Sequence, residues 1–260
     1  MSSVAQSWTI QRRVLGALLM REILTRYGRH NIGFLWLFAE PMLFTLGVTA
    51  LWSIAKLHQL SSIPIVAFAV TGYSSVLLWR SMPTRCITAI EPNLPLLYHR
   101  NVRLLDVFLA RIALEAVGTT ISFVGLVLIF WGIEWLDFPE NVLKVAGAWL
   151  MLGWFGASLA LFLGGLAGTS ELVEKLWHPA AYLLFPLSGA AFLVTGLPPA
   201  AQDAVLLLPM VHGVEYLRDG YFGSLITTRY DIGYMAAWNA ALTIAGLLRI
   251  RAISEKVRPE

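Results

Sequence analysis

Six long apolar runs constrain this chain more than anything else in it. They cover residues 32–55, 63–82, 107–131, 142–166, 172–194 and 232–250. A run of about 18 or more apolar residues is long enough to cross the hydrocarbon of a bilayer as a helix. Inside lipid every backbone N–H and C=O must be bonded within the segment, so helices are the expected form. The sequence therefore predicts an all-α polytopic membrane protein with six transmembrane helices. Only 13% of its residues are charged, about half the share of a soluble domain. Six spans leave no room within 260 residues for a separate soluble catalytic domain.

The connections between the runs give an orientation. Arg12, Arg13, Arg21, Arg26 and Arg29 precede the first span, and Arg80, Arg85, Arg100, Arg103 and Arg111 surround the second connection. With Lys175 and the four basic residues of the tail, 15 of the 19 Lys and Arg fall on one side. The positive-inside rule then places both termini in the cytoplasm. It also explains the net charge of +3 without nucleic acid. Trp36, Trp79 and Trp177 fall near the cytoplasmic span ends, and Trp52, Trp131 and Trp149 near the outer ends, as interfacial belts would. The expected division is 1–31 as a cytoplasmic tail and interfacial helix, 32–250 as the six-span domain, and 251–260 as a cytoplasmic tail. Within the first part, residues 1–6 read as a loose tail and 7–27 as a helix lying on the membrane.

Three stretches hold polar residues that topology alone does not explain. The first is residues 21–44, where Glu40 precedes Pro41 inside an apolar run. A span that starts near Ile32 puts Glu40 roughly 12 Å deep at about 1.5 Å per residue. A carboxylate there costs on the order of 2.5–3.5 kcal/mol. Either it is protonated and bonded to a neighbouring helix, or it faces a water-filled passage. Pro41 removes a backbone donor and supplies a bend. The second stretch is the connection of residues 83–106, longer than a turn needs. Pro83, Pro92 and Pro95 cut it into short helical pieces, and Tyr98, His99, Arg100 and Arg103 form an aromatic and basic cluster. Such pieces suit docking to a cytoplasmic partner; the alternative is a solvated polar loop.

The third stretch is residues 196–231, too apolar for a free loop. Pro198, Pro199 and Pro209 leave it too short to cross twice. It reads as an outer re-entrant segment before the last span. His212, Glu215, Arg218 and Asp219 share one side of a helix there. A salt-bridged structural cap explains them better than a catalytic His–Glu pair. The fifth span, with Pro179 and Pro186, should be kinked.

Several chemistries are missing from the sequence. No GxxxxGK[ST] loop is present, so this chain builds no nucleotide site of its own. One cysteine, Cys86, and five scattered histidines give no metal constellation. No inverted repeat of the secondary-transporter kind is visible.

Three blocks together carry a resemblance: MREILTRYGRHNIGFLWLFAEP at 20–41, AIEPNLPLLYHRNVRLLDVFLARIALE at 89–115 and LPMVHGVEYLRDGYF at 208–222. They resemble the membrane permease of bacterial capsular polysaccharide ABC exporters, within the ABC-2 type. The resemblance implies a homodimer with the passage between protomers. It implies two separate ATPase subunits that hold ATP and Mg, with no cofactor on this chain. It also implies a periplasmic polysaccharide co-polymerase, an outer-membrane export protein and a lipid-linked acidic polysaccharide as substrate. The chain would then be a transport subunit and not an enzyme.

On this reading Arg12, Arg13, Arg26 and Arg29 draw in the anionic lipid–sugar head. Trp36, Tyr73 and Trp79 offer rings to sugars near the cytoplasmic mouth, and Glu40 faces the passage. Arg85, Glu91, Asn93, Tyr98, His99, Arg100 and Arg103 couple to the ATPase, and His212, Glu215 and Arg218 belong to the outer re-entrant segment. The alternatives are an O-antigen exporter permease, a secondary transporter or channel, and a membrane-embedded transferase. Genomic neighbours would separate the first, transport by the purified chain alone the second, and an acidic or His-based active site the third.

Overall fold

The computed structural model describes residues 3–27, 31–55, 63–97 and 102–257. Among them there is no strand. Helix α1 covers Ser3–Tyr27 and α2 covers Asn31–Ala55. Helix α3, Ile65–Ile87, is followed by a 3-10 turn at Glu91–Asn93 and a single turn, α4, at Leu94–Leu97. The long helices α5, Leu104–Gly132, and α6, Val142–Ala167, come next. Helix α7 is Leu172–Leu187, α8 is Pro199–Val205, α9 is Pro209–Phe222 and α10 is Ile232–Val257.

The ends of these helices follow from local chemistry. Asp106 accepts the Arg103 backbone N–H at 2.9 Å and caps α5. Asn141 accepts the Lys144 backbone N–H at 3.0 Å and caps α6. Helices α8 and α9 both begin on proline, which lacks the N–H that a first turn leaves unbonded anyway.

Helices α3, α5 and α6 are each long and apolar enough to cross a membrane. Ala39–Leu51 of α2 is a shorter apolar stretch. Several boundaries differ from the sequence reading, among them the ends of α3, at Ile87 instead of 82, and of α10, at Val257 instead of 250. Helix α1 begins at Ser3, so most of the expected loose tail is helical. Helix α7 stops at Leu187 instead of near 194, just after Pro186, and Gly189 reverses the chain at φ 84°. That left-handed conformation is one glycine adopts at little cost. Of the three prolines expected to cut the connection, Pro92 and Pro95 lie in the 3-10 turn and α4, whereas Pro83 lies inside α3, which runs on to Ile87.

Helix α6 sits centrally and packs against α3, α9 and α10, while α3 also packs against α2 and α5, and α1 lies on α5. Small residues set the closest crossings. A Cβ on Gly156 would come 2.8 Å from the Trp79 Cα, and one on Gly246 would come 2.7 Å from the Phe162 backbone N.

Candidate functional site

The face of α3 that carries Tyr73, Leu77, Arg80 and Thr84 repeats every three or four residues, so these side chains share one side of the helix. That side, with Glu40, Pro41 and Phe44 of α2 and Glu115, Gly118 and Thr119 of α5, encloses a cavity of about 300 Å³. Arg85 closes one wall through an ion pair with Glu115 at 3.3 Å. The Arg80 guanidinium lies 5.2 Å from the Tyr182 ring centre on α7. Glu40 has no hydrogen-bond or ion-pair partner among the described residues. The cavity therefore brings together Glu40, Tyr73 and Arg85 from the sequence reading.

A second polar cluster fastens α1 to the bundle. Arg21 donates to Asn93 Oδ1 at 2.5 Å and to the Pro92 carbonyl at 3.4 Å. Asn93 is buried and donates in turn to the Ala89 carbonyl at 2.8 Å. Arg111 of α5 pairs with Glu22 at 2.9 Å and donates to the Arg85 carbonyl at 2.6 Å. Gln11 donates to Asp106, the cap of α5. Arg21 thus joins the 91–97 segment to α1, and Glu22, Arg111 and Arg85 form a continuous set of contacts from α1 to the cavity wall.

At the other end, His212, Glu215 and Arg218 of α9 bond to backbone groups. Arg218 is fully buried and donates to the carbonyls of Gly189, Ala190 and Phe192. Its guanidinium stacks 3.6 Å from the centre of the Phe68 ring. Glu215, also fully buried, accepts the Val194 N–H at 3.2 Å and the Arg229 N–H at 3.1 Å. His212 accepts the Asp231 N–H at Nδ1, 2.9 Å, and Nε2 lies 2.8 Å from the Leu206 carbonyl. A carbonyl only accepts, so Nε2 is the donor in that contact. Among the described residues the expected salt-bridged cap is present only at Asp219, which pairs with Lys144 of α6 at 2.9 Å, whereas Glu215 and Arg218 make no ion pair, because each is taken up by turn backbone. Nor do His212 and Glu215 hydrogen-bond to one another. Beyond α9, burial and the neighbouring Asp219 carboxylate push Tyr230 up to about 12. Its hydroxyl donates to Asp219 at 2.7 Å.

Residues 13–222 match the family described as ABC-2 type transporter. The chain belongs to that family. It is 43% identical over 259 residues to the capsule polysaccharide export inner-membrane protein CtrC of Neisseria meningitidis serogroup B, which covers 100% of this chain and 98% of that protein. It is 41% identical over 255 residues to the capsule polysaccharide export inner-membrane protein BexB of Haemophilus influenzae, covering 98% of this chain and 96% of BexB. At 25% over 246 residues it is similar to the polysialic acid transport protein KpsM of Escherichia coli, with 95% of each chain covered.

Within this ABC-2 chain the other expected site residues lie apart. Arg12 and Arg13 are exposed on α1, Trp36 is exposed on α2, and Glu91 and Arg103 are exposed around α4. Arg29, Tyr98, His99, Arg100 and the side chain of Arg26 lie outside the described residues. Trp79 is a correction. Its ring is 0% exposed and packs against Phe155, 6.0 Å between centres, because position 79 points to α6 while position 80 points to the cavity. Trp149 and Trp177 are likewise buried, with their N–H groups donating to Thr120 and Thr84, so neither is a belt residue in this fold. Arg80, Ser81, Arg111 and Glu115 were missed as site residues. Arg80 and Arg111 count toward the positive-inside rule, which hides any second role. The signal that could have found Arg80 is the Tyr73–Leu77–Arg80–Thr84 periodicity.

Proposed function

We propose that this chain is the membrane-spanning subunit of an ATP-driven exporter that moves lipid-linked capsular polysaccharide across the bacterial inner membrane. The observation that carries the reading is the 43% identity to CtrC along the whole chain. Two copies form the passage. Two ATPase subunits bind ATP and Mg and work from the cytoplasm, where both termini lie. A periplasmic co-polymerase and an outer-membrane export protein continue the route.

Helices α2, α3, α5, α6, α7 and α10 are the six spans, and α8 and α9 form the outer re-entrant segment. Arg12, Arg13, Arg26 and Arg29 draw the acidic substrate toward α1. Trp36 and Tyr73 line its path beside Glu40. Glu91, Asn93, Tyr98, His99, Arg100 and Arg103 receive the ATPase, and Arg85 carries its movement to the cavity wall. The Arg21–Asn93 and Arg111–Glu22 contacts support this route, since they tie the 91–97 segment to α1 and α5.

The test is co-purification with a co-expressed ATPase, followed by capsule export in cells whose ATPase lacks its catalytic residues. Export that persists at the normal rate without ATP hydrolysis overturns the proposal. Within it, Glu40→Gln should lower export without lowering the amount of folded protein. Unchanged export removes Glu40 from the mechanism.

A further inference from the structure

A groove of about 400 Å³ lies where the start of α5 meets the end of α10. Its floor is apolar: Leu97 and Val102 before α5, Leu104 and Leu105 in the first turn of α5, and Leu247 and Ile250 of α10. Its rim carries Arg103, Arg251 and Glu255. Leu247, Arg251 and Ser254 follow one another at helical spacing, so they share one side of α10. The groove has no lining residue in common with the cavity between α2, α3 and α5.

This groove stands at a membrane boundary. Helix α5 has 29 residues and is long and apolar enough to cross a bilayer. The groove touches it at its first two residues, where the apolar helix takes over from a charged connection. Two exposed apolar tracks lead from the groove toward the hydrocarbon. On α5, Leu109 follows Leu105 by one turn; on α10, Ile244 precedes Leu247 by one turn, with Leu248 beside it. Leu109, Ile244, Leu247 and Leu248 are all exposed. Helix α10 packs mainly on α6 and only slightly on α5, which leaves the gap between the tracks open.

The rim favours an anion. Arg103 has no ion-pair partner among the described residues. Arg251 pairs with Glu255 at 3.5 Å, but both side chains are largely exposed, so water screens the pair and it holds the guanidinium weakly. The Ser254 hydroxyl already donates to the Ile250 carbonyl at 2.8 Å. The Asp106 carboxylate is engaged by the Arg103 N–H at 2.9 Å and by Gln11. Two guanidinium groups therefore face one weakly held carboxylate, above an apolar floor.

We propose that this groove binds an anionic phospholipid of the bilayer. Its phosphate sits between Arg103 and Arg251, and its two acyl chains lie along the Leu105–Leu109 and Leu247–Ile244 tracks. A docked protein would match the charged rim and leave both membrane-directed tracks uncovered; a lipid with two chains covers rim and tracks together. On the topology proposed above, this is the cytoplasmic leaflet. The site goes beyond the exporter reading, since its ligand is a structural component of the membrane that fills the gap between α5 and α10 and takes no part as cargo.

The probe is dioleoyl phosphatidylglycerol, titrated against the purified, delipidated full-length protein in a neutral detergent and read by native mass spectrometry. Dioleoyl phosphatidylcholine is titrated in parallel. Wild type should prefer phosphatidylglycerol by about tenfold or more, and Arg103→Gln and Arg251→Gln should each weaken its binding by about fivefold. Glu255→Gln frees Arg251 and should tighten binding by a few fold, a gain that misfolding does not produce. Equal binding of the two lipids, or a double variant Arg103→Gln, Arg251→Gln that binds phosphatidylglycerol like wild type, refutes the site. Glu255→Gln binding no tighter than wild type overturns the pairing of the phosphate with Arg251. If the double variant keeps its phosphatidylglycerol but no longer co-purifies with a co-expressed ATPase, the groove is a protein-docking surface and the lipid is refuted. Export that persists without ATP hydrolysis overturns the exporter reading alone, because the titration needs neither the ATPase nor the transported substrate.

Discussion

Arg218→Met is the sharpest test of how the turn after α7 is held. The methionine stem can keep its packing on Phe68 while the five N–H donors vanish. Three buried carbonyls, those of Gly189, Ala190 and Phe192, then lose their partner. An unsatisfied buried acceptor costs about 1–3 kcal/mol. Glu215, fully buried one turn away, also loses its nearest compensating positive charge. Removing one member of a buried charged arrangement typically costs about 3–5 kcal/mol, and the lower edge of the carbonyl sum falls in the same range. For a chain of this size that lowers the melting temperature by about 10 °C.

The assay is thermal unfolding of the detergent-solubilised protein, with wild type, Arg218→Met and Arg218→Lys in parallel. Lysine restores the charge but not the planar fork and should fall between the other two. Double substitution with Glu215→Gln should cost less than the sum of the single changes, because each removes the reason for the other's burial. If Arg218→Met melts within about 2 °C of wild type, the carbonyl cage contributes nothing and the reasoning fails.

Two further outcomes follow from the packing. Gly156→Val places atoms where Trp79 backbone already stands, 2.8 Å from a Cβ at position 156. It should destabilise the chain by about 1–3 kcal/mol, read as loss of folded protein in a detergent melt. Arg111→Ala leaves Glu22 without its 2.9 Å partner. It should lower the melting temperature of the detergent-solubilised protein by several degrees, speed proteolysis near α1 and reduce export.

The fold was largely legible from the apolar runs. Asn31–Ala55, Leu104–Gly132 and Val142–Ala167 fall within a few residues of the expected spans. A period of apolar residues long enough for a bilayer admits one backbone solution, so its boundaries can be read locally. The end of α7 was less legible, since an apolar stretch continues past Pro186 and only Gly189 marks the reversal. The site was legible in part. Glu40 and Tyr73 stand out as polar groups within apolar runs, and they do meet in one cavity. Trp79 did not behave as its neighbours do, because one residue along a helix turns a side chain by about 100°.

The sequence by itself determined the helical class, the approximate bounds of the long apolar helices and, through its three blocks and its identity to relatives, the ABC-2 family. Those are properties of composition, period and local motif. Tertiary structure decided which polar residues meet. It joined Arg21 to Asn93, Glu22 to Arg111 and Arg85 to Glu115, separated by 72, 89 and 30 positions in the chain. It also decided that Arg218 and Glu215 serve backbone turns instead of one another. Such pairings depend on how α1, α3, α5 and α9 pack across large separations in sequence. No window of a few residues encodes that packing.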